Sequence, residues 1–174
     1  MTISPRVLAR TLAPPAIALG VVALAMWPAL PHIGAALRDV SPHAPDWSLW
    51  ARQTEPVQMH VIAAVIALAI GCVILFLPKG KGLHKPLGWL WVAAMGATAL
   101  SSLFITGLNG DAYSIIHLLT GWTLVALPMG AVAIRNRNVR AHQRAMLGLY
   151  LGGLLIAGAL TFLPGRFLFE FLLG

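Results

Sequence analysis

The fold is decided by residues 57–77, which read VQMHVIAAVIALAIGCVILFL and contain no Asp, Glu, Lys or Arg. An α-helix rises 1.5 Å per residue, so a run of about 20 apolar residues is long enough to cross the hydrocarbon core of a bilayer. Four further runs have the same character. The sequence therefore predicts an all-α polytopic membrane protein with five transmembrane helices, at residues 12–30, 57–77, 86–108, 112–134 and 145–163.

The composition agrees with lipid as the main solvent of the chain. Hydrophobic residues make up 59% of the 174 residues and charged residues only 10%, whereas soluble domains carry about 25% charged residues. The length indicates one membrane domain. The net charge of +7 does not predict binding to nucleic acid, because the basic residues occur in short clusters between apolar runs.

The distribution of charge predicts the orientation in the membrane. Cytoplasmic segments of membrane proteins are enriched in Lys and Arg, and one topology places nine of the twelve basic residues inside and all five acidic residues outside. We expect a bacterial inner-membrane protein with a cytoplasmic N-terminus and a periplasmic C-terminus. The inside residues are Arg6, Arg10, Lys79, Lys81, Lys85, Arg135, Arg137, Arg140 and Arg144, and the acidic residues outside are Asp39, Asp46, Glu55, Asp111 and Glu170.

The connections divide the chain 1–174 into four parts. Residues 1–31 form a predicted anchor helix, and residues 32–56 form the long outer loop, in which Trp47 and Trp50 favour a short helix at the membrane interface. Short links make consecutive helices antiparallel neighbours, so residues 57–163 are predicted to be an up-down four-helix bundle of spans two to five. Residues 164–174 form a predicted interfacial tail.

Four histidines, one on each helix of the predicted bundle, carry the chemical signal. His60 and His117 lie near the outer ends of spans two and four, and His84 and His142 directly precede the inner starts of spans three and five. Spans two and four are diagonal in an up-down bundle, as are spans three and five. Each pair can therefore face its partner across the bundle axis, which is the arrangement that a haem b with two histidine ligands requires. The sequence favours one or two haem b groups.

Small residues one turn after the histidines agree with a nearby porphyrin face. Gly88 follows His84 and Gly121 follows His117 at the i+4 position, although small residues are also common wherever membrane helices touch. Other roles stay open for the histidines. The inner pair can equally be polar residues at helix ends, and any of the four can hydrogen-bond across the bundle. Two histidines alone leave a zinc site short of ligands.

Two resemblances add expectations. Residues 83–89, LHKPLGW, and residues 141–146, AHQRAM, resemble paired histidine signatures of a family of predicted bacterial membrane proteins, domain of unknown function 2306. In architecture the chain is similar to the di-haem transmembrane b-type cytochromes, which oxidise or reduce ascorbate and quinones. That resemblance implies that His60 and His117 are outer ligands and His84 and His142 inner ligands.

Two functions are therefore expected as alternatives. The first is a membrane b-type cytochrome, a transmembrane electron-transfer protein or oxidoreductase that receives electrons from a quinol or another small reductant. The second is a cofactor-free accessory or assembly subunit that packs on other membrane subunits of a larger respiratory or photosynthetic complex. A transporter is disfavoured, because the spans contain no carboxylates.

Overall fold

The computed structural model describes residues 40–106 and 117–174, together with the single positions 20, 23 and 27. These residues form helices and no strand, which confirms the all-α prediction for the described part of the chain. The predicted first span, at residues 12–30, lies outside the described residues except for those three positions. We number the main helices α1 Trp47–Ala51, α2 Glu55–Phe76, α3 His84–Ser102, α4 His117–Arg135, α5 Val139–Phe162 and α6 Phe167–Leu172.

Within the described residues, three helices are long and apolar enough to cross a membrane, namely α2, α4 and α5. The chain is thus a helical membrane protein with three such helices among the five predicted spans. Helix α3 lies where the sequence predicted a span at residues 86–108, and it is shorter than that span. It ends at Ser102 because the following amides bond three residues back, Phe104 N to Ser101 O at 3.1 Å and Ile105 N to Ser102 O at 3.2 Å.

Helix α5 begins six residues earlier than the predicted start at residue 145. The Asn138 side chain accepts a hydrogen bond from Ala141 N at 3.1 Å and so caps the helix at Val139. His142 therefore lies inside the first turns of α5 and does not precede the helix, as the sequence had suggested. The middle of α5, Leu149–Ile156, is π-helical.

Short turns and side-chain contacts fix the relative direction of the helices. Residues 77–83 connect α2 to α3, and residues 136–138 connect α4 to α5. Helix α2 packs on α3, α3 on α4, α4 on α5, and the π-helical part of α5 returns to α2. We call the end with the two turns the basic end, since Lys79, Lys81 and Arg137 lie there, and the opposite end, where Glu55 begins α2, the acidic end.

The core lies between these two ends. Helices α2 and α5 approach closely at Gly71, where an added Cβ would collide with the Tyr150 ring and lie 2.8 Å from Trp91 Nε1. A glycine is required at this position because both aromatic side chains are buried. The buried cluster consists of Ala67, Trp91, Ala94, Met95, Ala126, Leu127, Leu149, Tyr150 and Leu154.

At the acidic end, α1 and α6 pack together. Ser41 N donates to Leu173 O at 2.9 Å and Asp46 N donates to Phe171 O at 3.1 Å, so the loop before α1 runs along the C-terminal helix. The Trp47 and Phe171 rings meet edge to face, with centroids 5.6 Å apart. The described part of the predicted outer loop, which begins at residue 40, and the predicted tail thus fold into one aromatic cap.

Asp46 caps the N-terminus of α1. Its carboxylate accepts hydrogen bonds from Ser48 Oγ at 2.6 Å, Ser48 N at 2.8 Å and Leu49 N at 3.0 Å. These hydrogen bonds, with the Ser48 hydroxyl first, hold the pKa of Asp46 below its ordinary value, because they stabilise the charged form. The first turn of α1 is therefore stabilised by an ionised carboxylate.

Candidate functional site

The four histidines are half-buried and share helix faces with core residues. A helical face repeats at i+3, i+4 and i+7. His60 shares its helix face with buried Ala63 and Ala67. Each of the other three histidines shares its face with a buried residue three or seven positions further along the helix. These pairs are His84 with Trp91, His117 with Thr120 and His142 with Leu149. The sequence placed these histidines on four helices, and the structure turns each of them toward neighbouring helices.

His60 is held by α3. Its Nδ1 lies 2.9 Å from the Thr98 carbonyl oxygen and 3.4 Å from Ser101 Oγ. A carbonyl oxygen only accepts, so Nδ1 carries the proton and the neutral ring keeps its lone pair on Nε2. This tautomer is the one found in metal-bound histidines, whose second ring nitrogen usually donates to a carbonyl or carboxylate.

Buried hydroxyls lie along α3 and α4 on this side of the core. Ser101 is fully buried, and Thr98, Thr120 and Thr123 are almost so. Thr98, Ser101 and Thr123 each donate to a carbonyl of their own helix, as Ser101 Oγ does to Ala97 O at 2.7 Å. The sequence pattern did not predict this cluster. The available signal was Thr98, Ser101 and Ser102 at helical spacing, but only packing adds Thr120, whose Oγ1 lies 2.7 Å from Ser102 Oγ.

His117 begins α4 at the same acidic end. The next turn of α4 carries Thr120, which contacts α3 through Ser102. Gly121, one turn after His117, has no atom within 4 Å of the place where a Cβ would be built. The same is true of Gly88, one turn after His84. The two glycines that the sequence singled out therefore both lie beside open space.

His142 repeats the geometry of His60 at the basic end. Its Nδ1 lies 3.0 Å from the Gly130 carbonyl oxygen on α4, so this ring also carries its proton on Nδ1 and its lone pair on Nε2. Gly130 permits the close approach of α4 and α5, since an added Cβ would collide with the Met146 methyl and lie 3.0 Å from Ala145 Cβ. The sequence did not single out Gly130.

His84 starts α3 near His142. Within the described part of the chain, Nδ1 of His84 is buried and has no hydrogen-bond partner. His84 is the first residue of α3 and His142 lies in the first turn of α5. The structure therefore places both members of the predicted inner pair at the basic end of the helices.

The histidines thus occupy two levels, which we call the acidic-end level, with His60 and His117, and the basic-end level, with His84 and His142. Thr120 belongs to the first level, and Gly130 to the second. The ten residues between them in α4 correspond to about 15 Å at 1.5 Å per residue. The buried cluster around Trp91, Met95 and Tyr150 fills the space between the levels.

Comparison with known proteins identifies the family. A family model described as "Predicted membrane protein (DUF2306)" matches residues 57–171, which is about two thirds of the chain and includes α2 to α5. The chain belongs to this family. No curated protein and no solved structure matches it. The resemblance that the histidine signatures suggested is therefore confirmed.

The possible ligands for a metal or haem iron in the described residues are pairs of histidines. Within these residues, no three His, Cys, Asp or Glu side chains lie close enough together to hold an ion by themselves. Bis-histidine haem requires two neutral imidazoles at each site. His60 and His142 are anchored through Nδ1 with the Nε2 lone pair directed away from that bond, as in histidines that bind a metal.

Proposed function

We propose that the chain is a membrane b-type cytochrome that moves electrons across or within the inner membrane. The observation that carries the proposal is the shared geometry of His60 and His142. Each ring donates its Nδ1 proton to a backbone carbonyl of the neighbouring helix, so that Nε2 is the nitrogen left to bind iron. The two rings belong to different levels, so the proposal allows one haem b at each.

The protein would contribute ligands, orientation and burial. His60 and His117 would hold the group at the acidic-end level, and His84 and His142 the group at the basic-end level. The carbonyls of Thr98 and Gly130 fix the ring planes of their histidines, because a bonded imidazole cannot rotate without losing the hydrogen bond. When bound, haem supplies a one-electron iron couple whose potential depends on such hydrogen bonds and on burial.

The finer topology belongs to the same proposal. The sequence of contacts, α2 to α3, α3 to α4, α4 to α5 and α5 back to α2, supports an up-down four-helix bundle whose diagonal helices carry the paired histidines. With the anchor helix at residues 12–30, we propose five spans in a bacterial inner membrane. The positive-inside rule puts the basic end in the cytoplasm, together with the N-terminus, and the acidic end with the C-terminus in the periplasm.

A spectrum of the purified protein tests the proposal. The full chain is expressed in haem-replete cells and purified in mild detergent, its oxidised and dithionite-reduced visible spectra are recorded, and haem is counted as the pyridine haemochrome. We expect a sharp reduced α-band of b type and two haems per chain. His60→Ala and His142→Ala should each remove one haem, because each variant lacks a ligand of a different level.

His43→Ala is the matched control. His43 is exposed in the loop before α1, where its Nδ1 lies 2.6 Å from the carbonyl of Ala44, so its replacement should leave the haem content unchanged. One haem, lost in His60→Ala and retained in His142→Ala, would confine the site to the acidic-end level. A colourless protein would refute the cytochrome and leave the accessory or assembly subunit of a larger membrane complex as the function to test.

A further inference from the structure

An apolar groove runs along the outside of α2 and α3. Its volume is about 520 Å³, within the range of roughly 300–1,000 Å³ that small-molecule sites occupy. Met59, Ile62 and Ile66 line the α2 side, and Leu90, Ala93 and Ala97 line the α3 side. The small side chains of the two alanines create the depression between the two helices.

The groove is polar at one end only. Glu55 and Gln58, in the first turns of α2, lie at the acidic end, and the other lining residues of α2 and α3 are apolar. From Glu55 to Ile66 the helix rises about 16 Å, at 1.5 Å per residue. The groove therefore suits an amphipathic ligand with its head at the acidic end and a hydrocarbon tail that extends toward the middle of the helices.

The two polar residues define the head group. Gln58 Nε2 donates to Trp50 O at 3.0 Å and to Gln53 O at 3.4 Å, so the amide nitrogen is used and the amide oxygen of Gln58 remains to accept. The Glu55 carboxylate also accepts, and no Lys or Arg among the described residues lines the groove. A phosphate head group would be repelled by Glu55, whereas a neutral head with hydroxyl donors matches two acceptors.

The groove adjoins the acidic-end level. Met59 precedes His60 in α2, and Ala97 precedes Thr98, whose carbonyl holds His60. A head group at Glu55 and Gln58 would therefore lie beside the helix turn that carries His60. This adjacency connects the groove to the proposed electron-transfer function.

We propose that the groove between α2 and α3 binds a quinol, with its two hydroxyls at Glu55 and Gln58 and its tail along Ala93 and Ala97. Binding itself depends only on the groove, whereas the role of the quinol as reductant rests on the proposed cytochrome function. Oxidation of the quinol to the quinone would release two electrons, for which the two haems of the proposed cytochrome would be the one-electron acceptors. It would also release two protons, which the Glu55 carboxylate and water at the acidic end would accept.

The test compares the effect of a leucine substitution at two alanines, one that lines the groove and one that does not. The purified full chain is placed in lipid nanodiscs, and a benzoquinol with a ten-carbon alkyl chain is the probe. Ala93→Leu fills the groove, while Ala159→Leu makes the same change at an exposed alanine of α5 that does not line it. Dissociation constants for the quinol come from isothermal titration calorimetry of the dithionite-reduced protein, in which the probe stays reduced, and the anaerobic rise of the α-band after addition of the quinol to the oxidised protein gives the rate of haem reduction.

We expect Ala93→Leu to raise the dissociation constant and lower the reduction rate at least about tenfold, with Ala159→Leu close to the wild type. Glu55→Gln should weaken binding in the same direction, because it removes the charged acceptor. The quinol site would be overturned if the probe showed no saturable binding, or if the two leucine variants bound it equally well. If dithionite still reduced the haem normally in that case, the cytochrome proposal would remain in place. Groove-dependent binding to a chain without haem would support the site and refute the cytochrome.

Discussion

Replacement of Gly71 by alanine tests the close approach of α2 and α5 in the core between the two histidine levels. The new Cβ would collide with the Tyr150 ring and lie 2.8 Å from Trp91 Nε1. Both rings are buried, Trp91 at 4% and Tyr150 at 7% exposure, so neither can move aside without disturbing the core. Overpacking of this kind costs about 1–3 kcal/mol, or more where the backbone has to shift.

Two opposing effects decide the net result. Alanine favours a helix over glycine by about 1 kcal/mol, which offsets part of the clash. We take the upper part of the overpacking range because two rigid rings meet the methyl group, and we expect Gly71→Ala to be destabilised by about 2 kcal/mol. Gly158→Ala in α5 is the matched control, since nothing lies within 4 Å of its new Cβ, and it should be neutral or more stable by up to about 1 kcal/mol.

The assay is unfolding of the purified chain in mixed micelles with a rising mole fraction of dodecyl sulfate, followed by far-ultraviolet circular dichroism. The midpoint should fall for Gly71→Ala and stay or rise for Gly158→Ala. Equal midpoints for the two variants would refute the reasoning, because they would mean that Tyr150 and Trp91 do not confine α2. A truncation that removes the ring, Tyr150→Ala in the Gly71→Ala background, should relieve the clash at the cost of a cavity.

Two further predictions concern the polar residues. Ser101→Ala should retain haem at His60 and raise its midpoint potential by less than about 59 mV, which is a tenfold effect for one electron, because the His60 ring keeps its bond to Thr98 O and loses only its weak 3.4 Å contact with Ser101; a potentiometric titration checks this, and loss of haem would contradict it. The lowered pKa of Asp46 stabilises the fold at pH values above its ordinary 3.8, and this stabilisation is lost as the pH falls through the pKa of the folded state. Acid should therefore loosen the cap beside Ser48. The resulting change in tryptophan fluorescence should be absent in Asp46→Asn.

The sequence by itself determined the class of protein and the existence of its main helices. An uncharged apolar run is stable in lipid as an α-helix, because every backbone amide and carbonyl must find its hydrogen-bond partner within the segment. That constraint is local, so α2 was predicted within two residues at each end, as residues 57–77 against Glu55–Phe76. The histidine signatures likewise sufficed for the family, which the match over residues 57–171 confirms.

Helix ends were predicted less well, since they depend on individual side chains. A hydropathy pattern does not reveal that Asn138 caps α5, and so His142 was placed before the helix and not inside it. The end of α3 at Ser102 likewise follows from backbone bonds to the third preceding residue. A local hydrogen bond of this kind contributes about 1 kcal/mol, which is enough to end a helix. Such a small contribution cannot be read from the hydropathy of the sequence.

The partners of the histidines were decided only by the tertiary structure. Each helix is apolar on nearly all sides, so its sequence does not state which face meets a neighbour, and rotation about the helix axis is set by packing at Gly71 and Gly130. That packing brings Thr98 O to His60 and Gly130 O to His142, although 38 and 12 residues separate the bonded pairs. It also forms the groove between α2 and α3, because a depression between two helices exists only once the two surfaces are in contact.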